Sequence, residues 1–296
     1  DTEDESESAP GSDKAADNLI ENDFGGALKC IRSCSFVNVK HIASRILGRE
    51  DVTAAEWLYT RMLLTGMADK NMRYVMVDEI QDYTMAQLQV LFKYYPNARF
   101  MLLGDEFQSI RRGTLTFDAI EEFAKGKNKS FALLPLMTSY RCSPEITGKF
   151  AAILPDAKTM LVSSVKRPGE KTFSKACSSD KEYYAELKKL IKEYSEMDGL
   201  TAVICRNPLN IEKIISALGK EAPSEITLQD ALPSKGAFLI ELALAKGLEF
   251  DHVILADADQ DNYPGDEIGR HSLYTAMSRA TQHLAILAKG KLAEKA

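Results

Sequence analysis

Where the run Tyr74-Val75-Met76-Val77 ends, the chain places two carboxylates side by side, Asp78 and Glu79, followed by Ile80, Gln81 and Asp82. An aspartate at the end of a buried strand can hold Mg²⁺ on a nucleotide, while the adjacent glutamate points elsewhere and can orient a water for in-line attack. Ligands of open α/β sheets bind beyond the carboxyl ends of the strands, where this pair sits. Taken alone, the pattern is better read as an acidic turn after a buried strand. About 22 residues later a second apolar run ends in Leu103-Gly104-Asp105-Glu106-Phe107-Gln108-Ser109-Ile110. Ser139-Tyr140-Arg141, Ala245-Lys246-Gly247-Leu248-Glu249-Phe250-Asp251 and Leu273-Tyr274-Thr275-Ala276-Met277-Ser278-Arg279-Ala280 follow. Arginines and a Mg²⁺-holding carboxylate are residue types that suit phosphoryl transfer, which is mostly positioning and charge neutralisation. Each arginine alone reads as a surface ion pair, and Gln81, Asp82 and Asp105 serve equally well as hydrogen-bonding organisers of their loops.

The elements that must position these residues alternate. Residues 27–66 read as helical, Tyr74–Asp78 as a short strand, and Thr84 caps a helix to about Tyr95, which Pro96 ends. Arg99–Leu103 is a second buried strand, and a helix over about Leu115–Ala124 leads to a strand at Phe131–Met137. Ser143-Pro144-Glu145 opens a helix with a cap and a proline at its first position. The second half continues with helices near Lys181–Tyr194, Ile211–Leu218 and Leu273–Thr281, and strands at Thr201–Cys205, Ala237–Leu242, His252–Ala256 and Leu284–Leu287. Near-continuous apolar strands alternating with amphipathic helices predict an α/β fold, a parallel sheet covered on both faces.

A length of 296 residues suits one large domain or two ordinary ones. With 45% hydrophobic and 27% charged residues, the composition excludes collagen, a disulfide scaffold and a coiled coil. No run of 18 apolar residues occurs, so no transmembrane helix is predicted. The opening DTEDESESAP has neither the basic start nor the apolar run of a secretory signal, and a cytoplasmic location is expected. The net charge of -6 is uneven: residues 1–23 hold nine acids against Lys14 alone, while the remaining 273 residues carry 36 basic and 34 acidic side chains. That opening reads as a disordered arm or linker. Five widely spaced cysteines fit reduced thiols, and four scattered histidines supply no second half of a zinc site beside Cys30 and Cys34.

Taken together and in order, DEIQD, GDEFQSI, the Tyr140-Arg141 pair, KGLEF and YTAMSRA resemble the motifs of the UvrD/Rep-type superfamily 1 helicases, across residues 74–288. The resemblance implies two RecA-like motor domains with ATP in the cleft between them: a partial first domain over 24–130 and a second over 131–296 without a large insert. It implies that Asp78 holds Mg²⁺, Glu79 activates the attacking water and Gln108 contacts the γ-phosphate. It further implies that Tyr140 stacks near the adenine, Arg141 and Arg279 reach the γ-phosphate, Glu249 binds the ribose, and Gly247 lets backbone approach. ATP and Mg²⁺ are the implied cofactors and DNA the implied partner.

The chain departs from that pattern in several places. The phosphate-cradling GxxxxGK[ST] loop is missing: Gly126-Lys127, Gly148-Lys149, Gly219-Lys220 and Gly290-Lys291 all lack the following Ser or Thr, and Gly169-Glu170-Lys171-Thr172 carries an inserted Glu. In the family the loop lies upstream, so a carboxy-terminal fragment of a longer motor is expected. Arg111-Arg112-Gly113-Thr114 lacks the aromatic residues on which bases stack, contacts worth about 1–3 kcal/mol per base, and the segment Glu241-Leu242-Ala243-Leu244-Ala245 before Lys246 has no His. Asp82-Tyr83, Arg167-Pro168-Gly169-Glu170-Lys171 and the KGLEFD segment are instead similar to the HelD-type branch, whose members remodel RNA polymerase with ATP. One alternative is a generic single-stranded-DNA translocase of repair, with Arg111, Arg112 and Lys246 as phosphate contacts. Another is a catalytically dead interaction module. By itself the chain is expected to hydrolyse ATP only at background rate; a steady-state assay of the pure protein checks this, and robust turnover refutes it.

Overall fold

Runs such as Leu200-Thr-Ala-Val-Ile-Cys and Phe250-Asp-His-Val-Ile-Leu offer apolar side chains on both faces of a strand, so they need cover on both sides. In a computed structural model, which describes residues 24–31, 34–154, 162–165 and 172–296, they receive it. The acidic opening 1–23 and the segment 167–171 lie outside the described residues. By packing, the chain divides into two units: residues up to Asp78 with Tyr83–Leu103, and Glu79–Asp82 with Gly104–Ala296. The motor-domain limits expected from the sequence are 24–130 and 131–296.

In the first unit, α1 (Val39–Leu47) and α2 (Ala54–Thr65) are followed by β1 (Tyr74–Val77), α3 (Met85–Tyr94) and β2 (Arg99–Leu102). Thr53 with Glu56, and Thr84 with Gln87, form reciprocal capping boxes that satisfy the first amides of α2 and α3. β1 and β2 pair in parallel, Tyr74 opposite Arg99 through Val77 opposite Leu102. The helical stretch expected over 27–66 is interrupted after Leu47, where the chain turns before the Thr53 cap.

The second unit holds α4 (Phe117–Gly126), β3 (Thr138–Ser139), α5 (Pro144–Ala151), β4 (Val162–Ser163), β5 (Phe173–Cys177), α6 (Asp180–Ser195), β6 (Leu200–Cys205) and α7 (Pro208–Leu218). It continues with β7 (Ser224–Ile226), β8 (Gly236–Glu241), the single turn α8 (Leu242–Ala245), β9 (Phe250–Leu255), α9 (Glu267–Met277) and β10 (Ala280–Lys289). Six strands form one parallel sheet in the order β5-β10-β9-β6-β8-β7. Side chains alternate across it. Ala202, Ile204, Phe238, Ile240, Val253 and Leu255 pack with α5 and α9, whereas Val203, Leu239, Ile254, Ala285 and Leu287 pack with α6 and α7. Each fully buried aliphatic or aromatic side chain contributes about 1.5–3 kcal/mol. This is the α/β architecture expected, with helices on both faces. Among the described residues no helix is long and apolar enough to cross a membrane.

Two expectations are corrected. The strand expected at Phe131–Met137 is irregular chain, with Leu133, Leu134 and Leu136 exposed; only Thr138 and Ser139 pair, with Val162 and Ser163. Pro135, which has no N–H to give a ladder, breaks that run. The helix expected to reach Thr281 stops at Met277, and β10 begins at Ala280, opposite Phe250. Strands β5 and β7, with charged or hydroxyl residues among their few apolar ones, were not foreseen.

The starts of β9 and β10 carry two histidines in contact, His252 buried and His283 half-buried. His252 Nδ1 lies 2.9 Å from His283 Nδ1, and His252 Nε2 lies 3.0 Å from the Asp198 carbonyl. A carbonyl only accepts, so the Nε2 carries the hydrogen, His252 Nδ1 accepts, and His283 Nδ1 donates. Burial holds the His252 pKa below the ordinary histidine value, and His283 pushes the same way against the Asp198 carbonyl and the Asp251 charge. A depressed folded-state pKa gives stability that is complete above about pH 6.5, the unfolded value, and is lost as pH falls through the folded one. Denaturant titrations between pH 7.5 and 5 are expected to show falling stability, with a shallower fall in His252→Gln; equal slopes would sink this assignment.

Candidate functional site

The turn Glu79–Asp82 and the segment from Gly104 belong to the second unit and meet there through Gln81. Gln81 is buried; its amide Nε2 donates to a Glu79 carboxylate oxygen and its Oε1 accepts from the Asp105 N–H at 3.1 Å. Gly104 makes room for this contact, since a Cβ there would lie 2.3 Å from Gln81 Oε1 and 3.0 Å from the Ile80 side chain. Glu79 itself has φ 51°, a left-handed conformation that a residue with a Cβ adopts at a cost and that gathers at functional sites. Asp78 directly follows β1, in the first unit.

Asp105 opens the single 3₁₀ turn Glu106–Gln108. Its Oδ1 accepts from the Phe107 N–H at 3.1 Å, and its Oδ2 accepts from Gln108 Nε2 at 3.0 Å and from the Tyr274 hydroxyl at 2.9 Å. Tyr274 sits on α9, whose first turn is capped by Asp266 accepting from the Gly269 N–H at 2.8 Å. A side chain at Gly269 would meet the Pro264 carbonyl at 1.9 Å, so glycine allows the helix to start against that loop. Burial first, and then the Asp105 charge, push the Tyr274 hydroxyl far above its ordinary pKa, which keeps it a donor.

Arg279 lies just beyond the end of α9 and is 2% exposed. Its Nη2 donates to Gln108 Oε1 at 2.7 Å and to Ser278 Oγ at 3.0 Å, its Nη1 to the Leu248 carbonyl at 3.2 Å, and its Nε to the Thr275 carbonyl at 3.1 Å. The Arg279 carbonyl accepts from the Phe250 N–H at 2.9 Å, which ties it to the KGLEF loop. Burial lowers the Arg279 pKa, Arg141 adds to that, and the charges of Glu79 and Glu249 act against it. The guanidinium stays charged throughout the working range of a protein.

Of the other expected site residues, Arg141 and Glu249 lie near enough to act on its charge. Arg141 Nε pairs with Glu249 Oε1 at 2.6 Å, both half-exposed. Lys246, only 10% exposed, ion-pairs with Asp82 and donates to the Gln108 carbonyl at 2.6 Å, so its ammonium has internal partners. Gly247 turns with φ 80°. Tyr140 is exposed, and so are Arg111 and Arg112, the latter 3.3 Å from Asp266. The sequence reading gave no role to Tyr274, or to His271, whose Nδ1 is 3.1 Å from the Ser109 carbonyl and whose ring meets Phe107 edge-on. Their three-residue spacing on one helix face was the available signal.

Residues 236–287 match the UvrD-like helicase C-terminal domain family, a span that runs from β8 through the KGLEF loop, β9, α9 and Arg279 into β10. Among solved structures, the C-terminal domain of a possible DNA helicase from Lactobacillus plantarum WCFS1 is similar, at 28% identity over 53% of this chain and 91% of that one, with a TM-score of 0.45. No curated protein matches the chain. The matched span encloses Arg279 and two of its hydrogen-bond acceptors, the Leu248 and Thr275 carbonyls.

Gly104→Ala is expected to displace Gln81, leave the Asp105 N–H without its partner and cost about 1–3 kcal/mol. Urea denaturation checks this, and wild-type stability in the variant would mean that Gln81 moves aside freely.

Proposed function

We propose that the chain is the carboxy-terminal part of an ATP-dependent superfamily 1 helicase or translocase, and that the Arg279 cluster is its hydrolysis switch. The observation that carries this reading is the convergence of separate motif segments, Glu79–Asp82, Asp105–Gln108, Arg141, Lys246–Glu249 and Arg279, around one buried guanidinium. The carboxylate of Asp78, a hard oxygen donor beside a strand end, suits Mg²⁺, which would neutralise charge on the phosphates of ATP. Glu79 orients the attacking water and takes its proton. Gln108 and Arg279 act as one unit at the γ-phosphate, and Arg141, paired with Glu249 at 2.6 Å, joins them. Glu249 serves the ribose, Gly247 lets the loop turn beneath it, and Tyr140 offers an exposed ring for the adenine. Transition-state charge in such a site is stabilised by groups already in place.

Of the two loads, RNA polymerase is favoured over DNA alone, as in HelD-type motors. The internal partners of Lys246 and the near-neutral charge of the body support this reading over a basic single-strand track. The test is steady-state ATPase activity of a longer protein that includes a phosphate-binding loop, with Glu79→Gln as the blank. Stimulation by RNA polymerase and indifference to single-stranded DNA are expected. Stimulation by DNA alone would establish the generic translocase, and no activity would overturn the enzyme reading.

A further inference from the structure

We propose that Tyr274 is a positioning residue: through Asp105 its hydroxyl sets which way the Gln108 side-chain amide faces, and so which group Gln108 presents to a phosphate. Tyr274 OH and Gln108 Nε2 both donate to Asp105 Oδ2, at 2.9 and 3.0 Å, while Gln108 Oε1 accepts from Arg279 Nη2 at 2.7 Å. Turning the amide over would put its NH₂ against the guanidinium and its oxygen against the carboxylate. Two hydrogen bonds would become two repulsions, so the neighbours dictate the orientation. With the oxygen committed to Arg279 and one N–H to Asp105, the second N–H points where those two bonds direct it. That hydrogen is the donor that would meet a phosphate.

Asp105 is in turn held at both oxygens, Oδ1 by the Phe107 N–H and Oδ2 by Tyr274. The Tyr274 ring is pinned independently, edge-on to Phe150 at 5.2 Å and tilted against Phe107 at 6.1 Å. Removing the hydroxyl therefore leaves the ring in place and releases one hold on Asp105. Lys246 holds the Gln108 backbone carbonyl, which leaves the amide torsion as the freedom that the relay from Tyr274 governs.

The geometric part stands on this chain alone; its consequence for turnover rests on the function proposed above. In Tyr274→Phe, hydrogen exchange of the Gln108 side-chain amide, followed by NMR, is expected to accelerate about tenfold, the worth of a hydrogen bond to a charged group. The Gln81 amide, held by Glu79, is expected to stay unchanged. Asp105→Asn, of nearly the same shape but without the charge, is expected to accelerate Gln108 in the same way. Unchanged Gln108 exchange in both variants would overturn the relay. In the longer protein, Tyr274→Phe is expected to lower kcat about tenfold with KM for ATP unchanged, and to have no further effect when Gln108 is already alanine. Losses that add in the double variant would overturn the positioning role. An inactive wild-type longer protein would instead remove the proposed function, and amide exchange would still decide the relay.

Discussion

The second unit is organised around the need to bury one positive charge. A guanidinium taken out of water loses several kcal/mol of solvation that only close hydrogen bonds recover. Two main-chain carbonyls, a serine hydroxyl and the Gln108 amide oxygen accept hydrogen bonds from Arg279. Each of these partners comes with its own constraints. The Leu248 carbonyl requires the KGLEF loop to turn, the Thr275 carbonyl requires α9 to end where it does, and Gln108 requires Asp105. Removing a partner would leave a buried charge uncompensated, so the segments stand or fall together.

That dependence suits a switch. Carboxylates of Glu79 and Glu249 act on Arg279 from nearby, and Arg141 opposes it. A second arginine and two glutamates thus balance one another at a buried guanidinium, the balance that the proposed hydrolysis switch would use. Lys246 adds a mechanical link, because one ammonium joins the Glu79–Asp82 turn, through Asp82, to the backbone of Gln108. One side chain thereby holds the two segments together.

The sheet supplies the rigid frame. Three central strands, β9, β6 and β8, are buried on both faces, and β10 sets the spacing from Arg279 to the core through Ala280 opposite Phe250. The glycines at 104 and 269 mark the places where neighbouring atoms leave no room for a Cβ. They are part of the site because they let the Gln81 bridge and the start of α9 come close.

The period of apolar residues determined the parallel sheet, its helices and most of their limits, because a strand buried on both faces or a helix with one apolar stripe shows in local sequence. It also placed the acidic pair after β1, since motif spacing is local, but it set Arg279 inside a helix to Thr281 where α9 stops at Met277. What failed locally were segments decided by something other than apolarity: Pro135 broke an apolar run, and β5 and β7 formed at the sheet edges with few apolar residues. Only the tertiary structure decided which polar residues touch. Lys246 reads as an exposed phosphate contact until the fold brings Asp82 and the Gln108 carbonyl to it. Tyr274 has no role of its own in the sequence until Asp105, 169 positions away, accepts its hydrogen. Hydrogen bonds depend on directions in space, and those directions exist only once the sheet has fixed where each loop begins and ends.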